Sequence, residues 1–341
     1  MKEITQKLDV HKFYLRTASE RSSLDKRDYL ILYELEQDST KSLNSIAKKV
    51  RLSKEAVFHR IKKLEECGII KSYMYEIDVY RLGYQYYPVL IKLANTTPKT
   101  EQQIIDYLKK RNEVAWLVRC DGQWNINLTL LAKDNHQVSL FFDNFLKAYG
   151  RYIIDKRLFI TDEIHYLKRS FSTWKMAGEF VSFPQQKVVS INEEEHKLLA
   201  LLSDNARAPI VQIAKKLRTT PRIVSYTIKK LRSLGVIKGA RIFVDFSKRG
   251  HKFYKVWFSL HGMNAVRWKE FLSYFQKTGV VLWVTKVTGC YDLSIEMEAR
   301  ELGEFRKVIC EMEERFAWSI IRHESLLITS EEVMRHIPNA R

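Results

Sequence analysis

The sequence predicts an α+β fold made of two repeats, each a winged helix-turn-helix followed by a ferredoxin-like βαββαβ domain. The first observation is an internal repeat at an offset of 167 residues, which aligns IAKKVRLSKEAVFHRIKKLEECGIIK (46–71) with IAKKLRTTPRIVSYTIKKLRSLGVIK (213–238) without a gap. The second is the apolar spacing, which is helical at the start of each repeat and alternates like a strand further on. Self-similarity at a fixed offset indicates a tandem duplication.

The repeat sets the domain organisation of the 341 residues. Residues 24–83 share 17 identities in 60 positions with residues 191–250. Near the end of each repeat the register slips by one, where FIT at 159–161 faces LIT at 327–329. The predicted domains are an N-terminal helical extension (1–23), winged helix-turn-helix 1 (24–80), ferredoxin-like effector/dimerisation domain 1 (84–165), a connector (166–190), winged helix-turn-helix 2 (191–247) and ferredoxin-like effector/dimerisation domain 2 (251–335).

Three helices and a strand are predicted at the start of each repeat. In the first repeat LDKRDYLILYELEQD, LNSIAKKV and KEAVFHRIKKLEECG carry apolar residues at helical spacing. Ser53 and Thr220 stand where a hydroxyl caps a helix N-terminus, and Gly68 and Gly235 stand where a left-handed residue ends a helix. The segments that follow, IIKSYMYEID and VIKGARIFVD, alternate like strands and predict a wing.

The second and third helices of each repeat predict a helix-turn-helix that reads DNA. A short turn joins them, and Ala47, Val57, Ile61 and Leu64 face the interior. The other face of the third helix can enter a major groove, where its first residues reach base edges and its later lysines meet phosphates. The predicted DNA-binding residues are Ser53, Lys54, Glu55, Phe58, His59, Lys62 and Lys63 in the first repeat, and Thr220, Arg222, Ser225, Tyr226, Lys229 and Lys230 in the second. A structural helical hairpin with a solvated lysine face is the alternative for either copy taken alone.

The net charge favours a polyanionic partner, double-stranded DNA. The chain has 58 basic and 40 acidic side chains, a net charge of +18 and a pI near 9.6. Residues 191–250 carry 13 basic and 5 acidic side chains, a net of +8, whereas residues 24–83 carry 12 and 10, a net of +2. We therefore expect the second helix-turn-helix to supply more of the sequence-independent attraction to phosphates.

The second half of each repeat has segments in the order strand, helix, strand, strand, helix, strand. This order is typical of a ferredoxin-like sandwich, in which both helices cover one face of an antiparallel sheet. The other face would leave Leu90, Trp116, Trp257 and Trp283 in water. A second sheet of the same kind is the expected cover.

These features together resemble the leucine-responsive regulator/AsnC, or feast/famine, family of transcription regulators. The resemblance rests on LDKRDYLILYEL, LSKEAVFHRIKKLEECGIIKSY and LGY in the first repeat and on VTGCYDLSIEMEA in the second. It covers nearly all of residues 24–165 and 191–335. The resemblance implies a sequence-specific DNA-binding transcription regulator.

Members of that family are usually single units that dimerise through their sheets, often assemble further, and bind an amino acid or another small effector near the turn between the second and third strands. The resemblance places that turn at Gly122 and Asn125 in the first repeat and at Gly289 and Asp292 in the second, which are the predicted effector-binding residues. A tight turn alone is the structural alternative. Fusion of two repeats implies an intramolecular pseudo-dimer, and the family's assembly implies a further homo-oligomer.

Three substitutions depart from the family pattern. Asn125 stands where the second repeat keeps an acid, so an effector amine would meet less charge there. In the third helix, Thr227 replaces Arg60 of the first repeat, and Arg232 replaces Glu65. The two helices are therefore expected to read different bases or to bind DNA with different strength.

Two other functions stay open at this point. Some tandem or paired proteins similar to this family are sirohaem decarboxylases, and Arg119, His136, Arg157 and His165 are groups that such an enzyme could use. No fixed spacing gathers them into one acid/base site. A sequence-tolerant architectural DNA-binding protein also agrees with the basic charge. We expect a regulator that is not an enzyme and has no catalytic residue and no cofactor.

The remaining composition excludes several classes of protein. Neither an apolar run of about eighteen residues nor a secretory signal is present, so no membrane partner is expected and the protein is predicted to be cytoplasmic. Cys67, Cys120, Cys290 and Cys310 share no C-x-x-C spacing and predict no metal site. We expect reduced, mostly buried thiols.

Overall fold

The computed structural model describes residues 24–169, 171, 181–184, 187–335 and 337–338. The predicted N-terminal extension, 1–23, and much of the connector lie outside these residues. In unit 1 the helices are α1 (Lys26–Gln37), α2 (Leu43–Val50), α3 (Lys54–Glu66), α4 (Pro98–Lys109) and α5 (Asn135–Tyr149), and the strands are β1 (Ile70–Ile77), β2 (Gln85–Leu93), β3 (Val114–Asp121), β4 (Ile126–Ala132), β5 (Ile153–Leu158) and β6 (Ile160–Tyr166). After β7 (Val181–Pro184), unit 2 has helices α6 (Glu193–Asp204), α7 (Ile210–Lys216), α8 (Pro221–Ser233), α9 (Ala265–Thr278) and α10 (Leu302–Arg315), and strands β8 (Ile237–Val244), β9 (Lys252–Leu260), β10 (Val281–Thr288), β11 (Leu293–Ala299) and β12 (Ile320–Met334). Short 3₁₀ turns occupy Val79–Leu82, Gly150–Tyr152 and Ser247–Arg249.

The ends of the two reading helices, α3 and α8, follow from local side-chain chemistry. The hydroxyl of Ser53 accepts the Ala56 N–H at 3.1 Å, and the hydroxyl of Thr220 accepts the Ile223 N–H at 3.3 Å. Past the C-terminal ends, Gly68 and Gly235 have φ values of 71° and 70°. The predicted caps and stops are confirmed.

The predicted α+β fold with two repeats is confirmed. The four strands β2 to β5 of unit 1 form one antiparallel sheet, and β9 to β12 of unit 2 form another. Within each unit both helices pack on one face of the sheet, as the βαββαβ order predicts. We call the helix-turn-helix parts of units 1 and 2 module 1 and module 2.

Each sheet is completed by a strand of the other unit. Strand β6 continues past Phe159 and pairs with β10, and the second half of β12 pairs with β3. The predicted single strand YIIDKRLFIT is therefore divided, since β5 joins its own sheet and β6 crosses over. This reciprocal exchange joins the sheets into one ten-stranded hydrogen-bonded order, β5-β2-β4-β3-β12-β9-β11-β10-β6-β7.

The open faces of the two sheets cover each other. Leu90 and Trp257 lie in a common cluster and are fully buried, and the ring of Phe159 stacks on Trp257 with 4.7 Å between centroids. Trp116 and Trp283 lie at the margin of this contact and are partly buried. The expected cover by a second sheet is confirmed.

The one-residue slip between the repeats lies later than predicted. Ile160 faces Thr288 and Leu327 faces Asp121, so the offset of 167 still holds where FIT was expected to face LIT. The structural offset changes only after Glu331, because β12 bulges at its next residue. Sequence identity misplaced the slip, since a bulge can be moved along a strand without altering the apolar pattern.

The wing strands pair with each other. Strands β1 and β8 form an antiparallel pair in which Met74 lies opposite Arg241. Helix α1 packs on β8 and helix α6 packs on β1, so Ile31 of module 1 shares a core with Ile242 of unit 2. The cores of the two modules are therefore shared between units.

Two other expectations concern single residues and membrane spans. Among the four cysteines, Cys120 is buried, Cys67 is half-buried, and Cys290 and Cys310 are exposed, so the expectation of mostly buried thiols is wrong. Within the described part of the chain, each helix is too short or too polar to cross a membrane.

Candidate nucleic-acid interface

Helix α3 presents one polar face to solvent. Val57, Ile61 and Leu64 point into the core of module 1, which fixes the orientation of the helix. The exposed residues of the helix and its cap include every predicted DNA-binding residue of unit 1, namely Ser53, Lys54, Glu55, Phe58, His59, Lys62 and Lys63. The ring of Phe58 is 50% exposed and meets the His59 ring edge-on at 5.6 Å. This face offers cations, an acid and an apolar ring, which are the groups that contact phosphates, cytosine and the thymine methyl.

Helix α8 presents the corresponding face of module 2. Val224 and Leu231 anchor it, and Thr220, Arg222, Tyr226, Lys229 and Lys230 are exposed, with the Tyr226 ring 69% accessible. Ser225 is half-buried and its hydroxyl donates to the Pro221 carbonyl at 2.9 Å. Of the predicted residues in unit 2, Ser225 alone spends its hydroxyl on its own helix.

Several cations on these faces have no ionic partner. Among the described residues, Lys54 and Lys63 on α3 and Arg222 and Lys229 on α8 form no ion pair with an acidic side chain. Lys62 lies 3.8 Å from Glu66 at the exposed surface, a distance at which an ion pair contributes little. These side chains are therefore available to phosphate oxygens.

Lys230 is held by the protein itself. Its ammonium lies 2.5 Å from the carboxylate of Glu195, which also caps the start of α6. Burial would raise the pKa of Glu195, but the hydrogen bonds from Lys230 and from the Asn192 N–H keep that pKa below its usual range. Replacement of Lys230 would therefore disturb module 2 as well as any DNA contact.

The substitutions expected to distinguish the two readers have internal roles instead. The guanidinium of Arg60 lies 2.8 Å from Asp25 and 2.7 Å from Asp28 on the N-terminal turn of α1. The hydroxyl of Thr227 donates to a carbonyl of its own helix, and Arg232 stacks over Tyr75 at 5.8 Å. The readers differ through their outward residues, where unit 1 has Lys54, Glu55, Phe58 and His59 and unit 2 has Pro221, Arg222, Ser225 and Tyr226.

The sequence reasoning missed one pair of basic residues beside the readers. Arg51 and Arg218 end the preceding helices in the left-handed region, with φ values of 54° and 53°, and both are exposed. They occupy equivalent positions in the two turns of the helix-turn-helix. Their identity at the offset of 167 residues was the available signal.

The paired wings fix the two readers relative to each other. Because β1 and β8 share a ladder and each packs on the other module's first helix, neither module moves without the other. Lys71 with Asp245 at 3.3 Å and Lys238 with Asp78 at 3.5 Å close the ladder at equivalent positions. The two reading helices thus form one rigid surface.

The predicted effector residues lie in turns at the contact between units. The side chain of Asn125 accepts the Leu93 N–H at 2.9 Å, and Asp292 accepts the Leu260 N–H at 2.7 Å. A Cβ on Gly122 would meet the Ser325 carbonyl at 3.1 Å, and one on Gly289 would meet the Phe159 ring at 2.7 Å. These contacts support the tight turn, and an effector role for the four residues stays a prediction.

The groups considered for an enzyme are dispersed. Arg119 bonds to Glu332 on β12, and Arg157 stacks over Trp124 at 4.9 Å. His165 is buried in β6, whereas His136 is exposed on α5. The structure does not gather these four groups into one site.

Two clefts lie where a module meets the ferredoxin-like domain of the other unit. The larger, of about 1130 Å³, lies between domain 1 and module 2, and the smaller, of about 270 Å³, lies between domain 2 and module 1. Most residues lining the smaller cleft are 167 positions from a residue lining the larger one. In the smaller cleft Glu298 binds Arg169 at 3.1 Å and His251 at 3.4 Å. Leu131 and Tyr84 replace Glu298 and His251 in the larger cleft, so that ion network is missing there.

Comparison with known proteins relates both the modules and the whole fold to others. A model of the winged helix-turn-helix DNA-binding domain matches residues 24–71 and again residues 192–238. The chain is similar to the HTH-type transcriptional regulator LrpA of Pyrococcus horikoshii, with 33% identity over 121 residues, or 36% of this chain and 84% of that protein. It is 30% identical over 135 residues to the transcriptional regulator AzlB of Bacillus subtilis, which is 39% of this chain and 78% of that protein.

A structural neighbour matches the whole tandem arrangement. The crystal structure of the siroheme decarboxylase NirDL is similar over 92% of this chain and 94% of its own, with a TM-score of 0.61 at 15% identity. At that identity the likeness shows the fold alone. Because a regulator 33% identical is matched across most of its length and the DNA-binding model is matched twice, the chain belongs to the leucine-responsive regulator/AsnC family, with two of its units in one polypeptide.

Proposed function

We propose that this protein is a cytoplasmic, sequence-specific DNA-binding transcription regulator in which one chain supplies both reading helices. The observation that carries the proposal is the pair of solvent-facing helices α3 and α8, each with cations that no acid of the described chain neutralises. The match of both modules to a DNA-binding domain model supports it.

The two helices would act in the major groove. The N-terminal residues of such a helix contact base edges, while cations along it and in the preceding turn contact phosphates. Module 2, with a net charge of +8 over residues 191–250, would supply the larger share of the phosphate contacts. Module 1 adds an acid and an exposed aromatic ring, which favour base discrimination over general attraction.

A salt titration of DNA binding tests this assignment. Arg222→Ala with Lys229→Ala removes two unpaired cations and leaves Lys230 with its partner Glu195. We expect the slope of log affinity against log salt to flatten by about 1.8, since each phosphate contact contributes roughly 0.9. The measurement is fluorescence anisotropy with genomic fragments at several salt concentrations.

The matched control removes two cations from a surface far from the readers. Lys99→Ala with Lys147→Ala changes the net charge equally, and both residues are exposed on helices of domain 1. This variant should keep the slope of the unmodified protein. Equal slopes for all three proteins would refute the assignment of α8 to DNA.

Footprinting separates the regulator from an architectural DNA-binding protein. A regulator protects a discrete site at every concentration that gives binding, whereas a coating protein extends its protection as concentration rises. The sirohaem decarboxylase alternative receives support from fold likeness alone, and its candidate groups are dispersed, so it is not proposed.

The larger cleft supports a second part of the proposal, a small-molecule effector bound between domain 1 and module 2. Lys133 forms no ion pair, and the half-buried imidazole of His196 has no hydrogen-bond partner among the described residues. Leu131 and Phe141 supply an apolar wall. A carboxylate with an apolar body, such as an amino acid or its 2-oxo acid, matches this combination.

Thermal stabilisation by a panel of amino acids and 2-oxo acids tests the effector proposal. If the effector lies in the cleft, Lys133→Gln with His196→Gln should lower the affinity of the stabilising compound at least tenfold, a loss of about 1.4 kcal/mol. The control, Arg300→Gln, alters the equivalent position of the smaller cleft. Unchanged affinity in the cleft variant would return the effector to the turns at Gly122 and Gly289.

A further inference from the structure

The contact between the two units contains charged residues that match only when the units differ. We infer that each unit is built to pair with the other unit and not with a second copy of itself, so that the DNA target is a non-palindromic pair of half-sites. The clause about DNA rests on the proposed function.

The wing ladder gives the first observation. Met74 and Arg241 occupy equivalent positions, 167 residues apart, and lie directly opposite each other, so this pair sits on the pseudo-twofold axis. Arg241 is 2% exposed, and its guanidinium lies 3.4 Å from Glu76 of unit 1 and 4.1 Å above the Tyr166 ring. A pair made of two unit 2 wings would bury two arginines opposite each other, with phenylalanines at 243 where the acid stands in unit 1. Burial of an unpaired charge costs several kcal/mol per ion.

The space around Glu76 gives the second observation. Gly239 lies opposite Glu76, and a Cβ on this glycine would meet the Glu76 carboxylate at 2.7 Å. The position equivalent to Gly239 in unit 1 is Ser72. In a pair of two unit 1 wings, the acid would therefore meet a side chain and find a methionine where its cation belongs.

The sheet-to-sheet contact gives the third observation. Arg157 and Glu324 occupy equivalent positions, as do Trp124 and Tyr291. Arg157 donates to the Tyr291 hydroxyl at 3.3 Å, and the Trp124 indole donates to Glu324 at 3.0 Å. Two copies of unit 1 would bring two arginines to this place, and two copies of unit 2 would bring two glutamates.

An internal comparison separates these contacts from ones that any pairing would keep. Lys71 is equivalent to Lys238 and Asp78 to Asp245, and the two cross-unit ion pairs they form are copies of each other. Those pairs would survive between two identical units. The selective contacts are Glu76 with Arg241, and Arg157 with Glu324 and its neighbours.

A nicked full-length protein tests the pairing. A specific protease site placed within residues 172–180 is cut after folding, and the two fragments are separated in urea, returned together to buffer and weighed by native mass spectrometry. We expect complexes of one unit 1 with one unit 2 and no like-unit dimers. Like-unit dimers near the statistical proportion of one half would overturn the inference.

Two variants of the nicked protein sharpen the result. Glu76→Gln and Arg241→Met with Arg157→Gln and Glu324→Gln remove the selective charges, and we expect like-unit dimers to rise at least tenfold. Lys71→Gln with Lys238→Gln is the matched control, because its pairs are the same in every combination, and it should stay free of like-unit dimers.

A measurement on the uncut chain covers the case in which the fragments do not refold. Arg157→Glu places a second acid beside Glu324, and Arg157→Glu with Glu324→Arg restores opposite charges with the sign reversed. We expect the single variant to lower the urea midpoint and the double variant to recover most of the loss. If the double variant is no more stable than the sum of the two single variants, the pair is not selective and the inference fails.

DNA selected from random sequence tests the target. We expect the two half-sites to differ, and palindromes built from either half alone to bind at least tenfold more weakly than the selected order, the effect of roughly one mismatched base pair. Palindromic selected sites would overturn the asymmetric target. Failure to select any DNA would refute the proposed function and leave the result on pairing standing.

Discussion

Single side chains divide the basic surface of the reading helices into groups that stabilise a module and groups that remain free for phosphate. Arg60 is spent on Asp25 and Asp28, and Lys230 on Glu195, whereas Arg222 and Lys229 keep their charge available. The sequence predicted a basic face but could not separate these classes. The difference depends on acids of α1 and α6, which are distant in sequence and reach the reading helix only after folding.

His196 gives a prediction at the residue scale. Its partial burial, and then the positive charge of Lys133, hold its pKa below the ordinary value of 6.5. The unfolded chain therefore binds this proton more readily than the folded chain, and the free energy of unfolding should fall as the pH drops below about 6.5.

Urea unfolding of the wild-type protein and of His196→Gln at about pH 7.5 and 5.5 measures this effect. The variant should lose less stability between the two values than the wild type does. His136→Gln, which alters an exposed imidazole on α5, is the control. An equal loss in all three proteins would contradict the prediction.

At the scale of elements, local signals predicted far more than distant ones. The caps at Ser53 and Thr220 and the stops at Gly68 and Gly235 depend on residues within one helical turn, and the structure has them where the sequence placed them. The pairing of β1 with β8 and the crossing of β6 could not be read in the same way. Alternating residues predict a strand and its buried face, but they do not specify which edge it joins.

The turns at Gly122 and Gly289 give a prediction at this scale. Gly122→Ala adds a methyl at φ +139°, 3.1 Å from both the Ser325 carbonyl and the Leu326 side chain, and Gly289→Ala adds one 2.7 Å from the Phe159 ring. We expect each substitution to lower the free energy of unfolding by about 1–3 kcal/mol, the usual range for overpacking. Chemical denaturation followed by tryptophan fluorescence measures it.

Gly150→Ala supplies the matched control. This glycine has an ordinary φ, and its nearest neighbour would be the Leu146 side chain at 3.6 Å, an ordinary contact. Stability should stay within about 0.5 kcal/mol of the wild type. Loss of equal size at all three glycines would show that close approach between the units is not the cause.

At the scale of the whole molecule, the chain is a closed pseudo-dimer with two open sheet edges. Strand β5 ends one sheet, and the first part of β12, before Leu327, ends the other. Ile154 and Ile321 lie at equivalent positions on these edges, and each is 63% exposed. An apolar strand edge is a template for pairing with another chain, so these edges are the proposed contacts for the further homo-oligomer.

Ile154→Glu with Ile321→Glu tests that assembly. We expect the mass in solution to fall to that of one chain, with no loss of thermal stability, because both residues are exposed. Light scattering measures the mass. Val266→Glu with Leu302→Glu, exposed on the helical faces, should leave the assembly intact. An unchanged mass in the edge variant would place the oligomer contact elsewhere.

The exchange of strands between the units also sets an order of events during synthesis. The sheet of unit 1 lacks its last neighbour until residues 327–334 have left the ribosome, some two hundred residues after β3 itself. Until then the edge of β3 is bare and open to chaperones or to nascent chains on nearby ribosomes. Translation of this messenger therefore ends before either half of its product is finished.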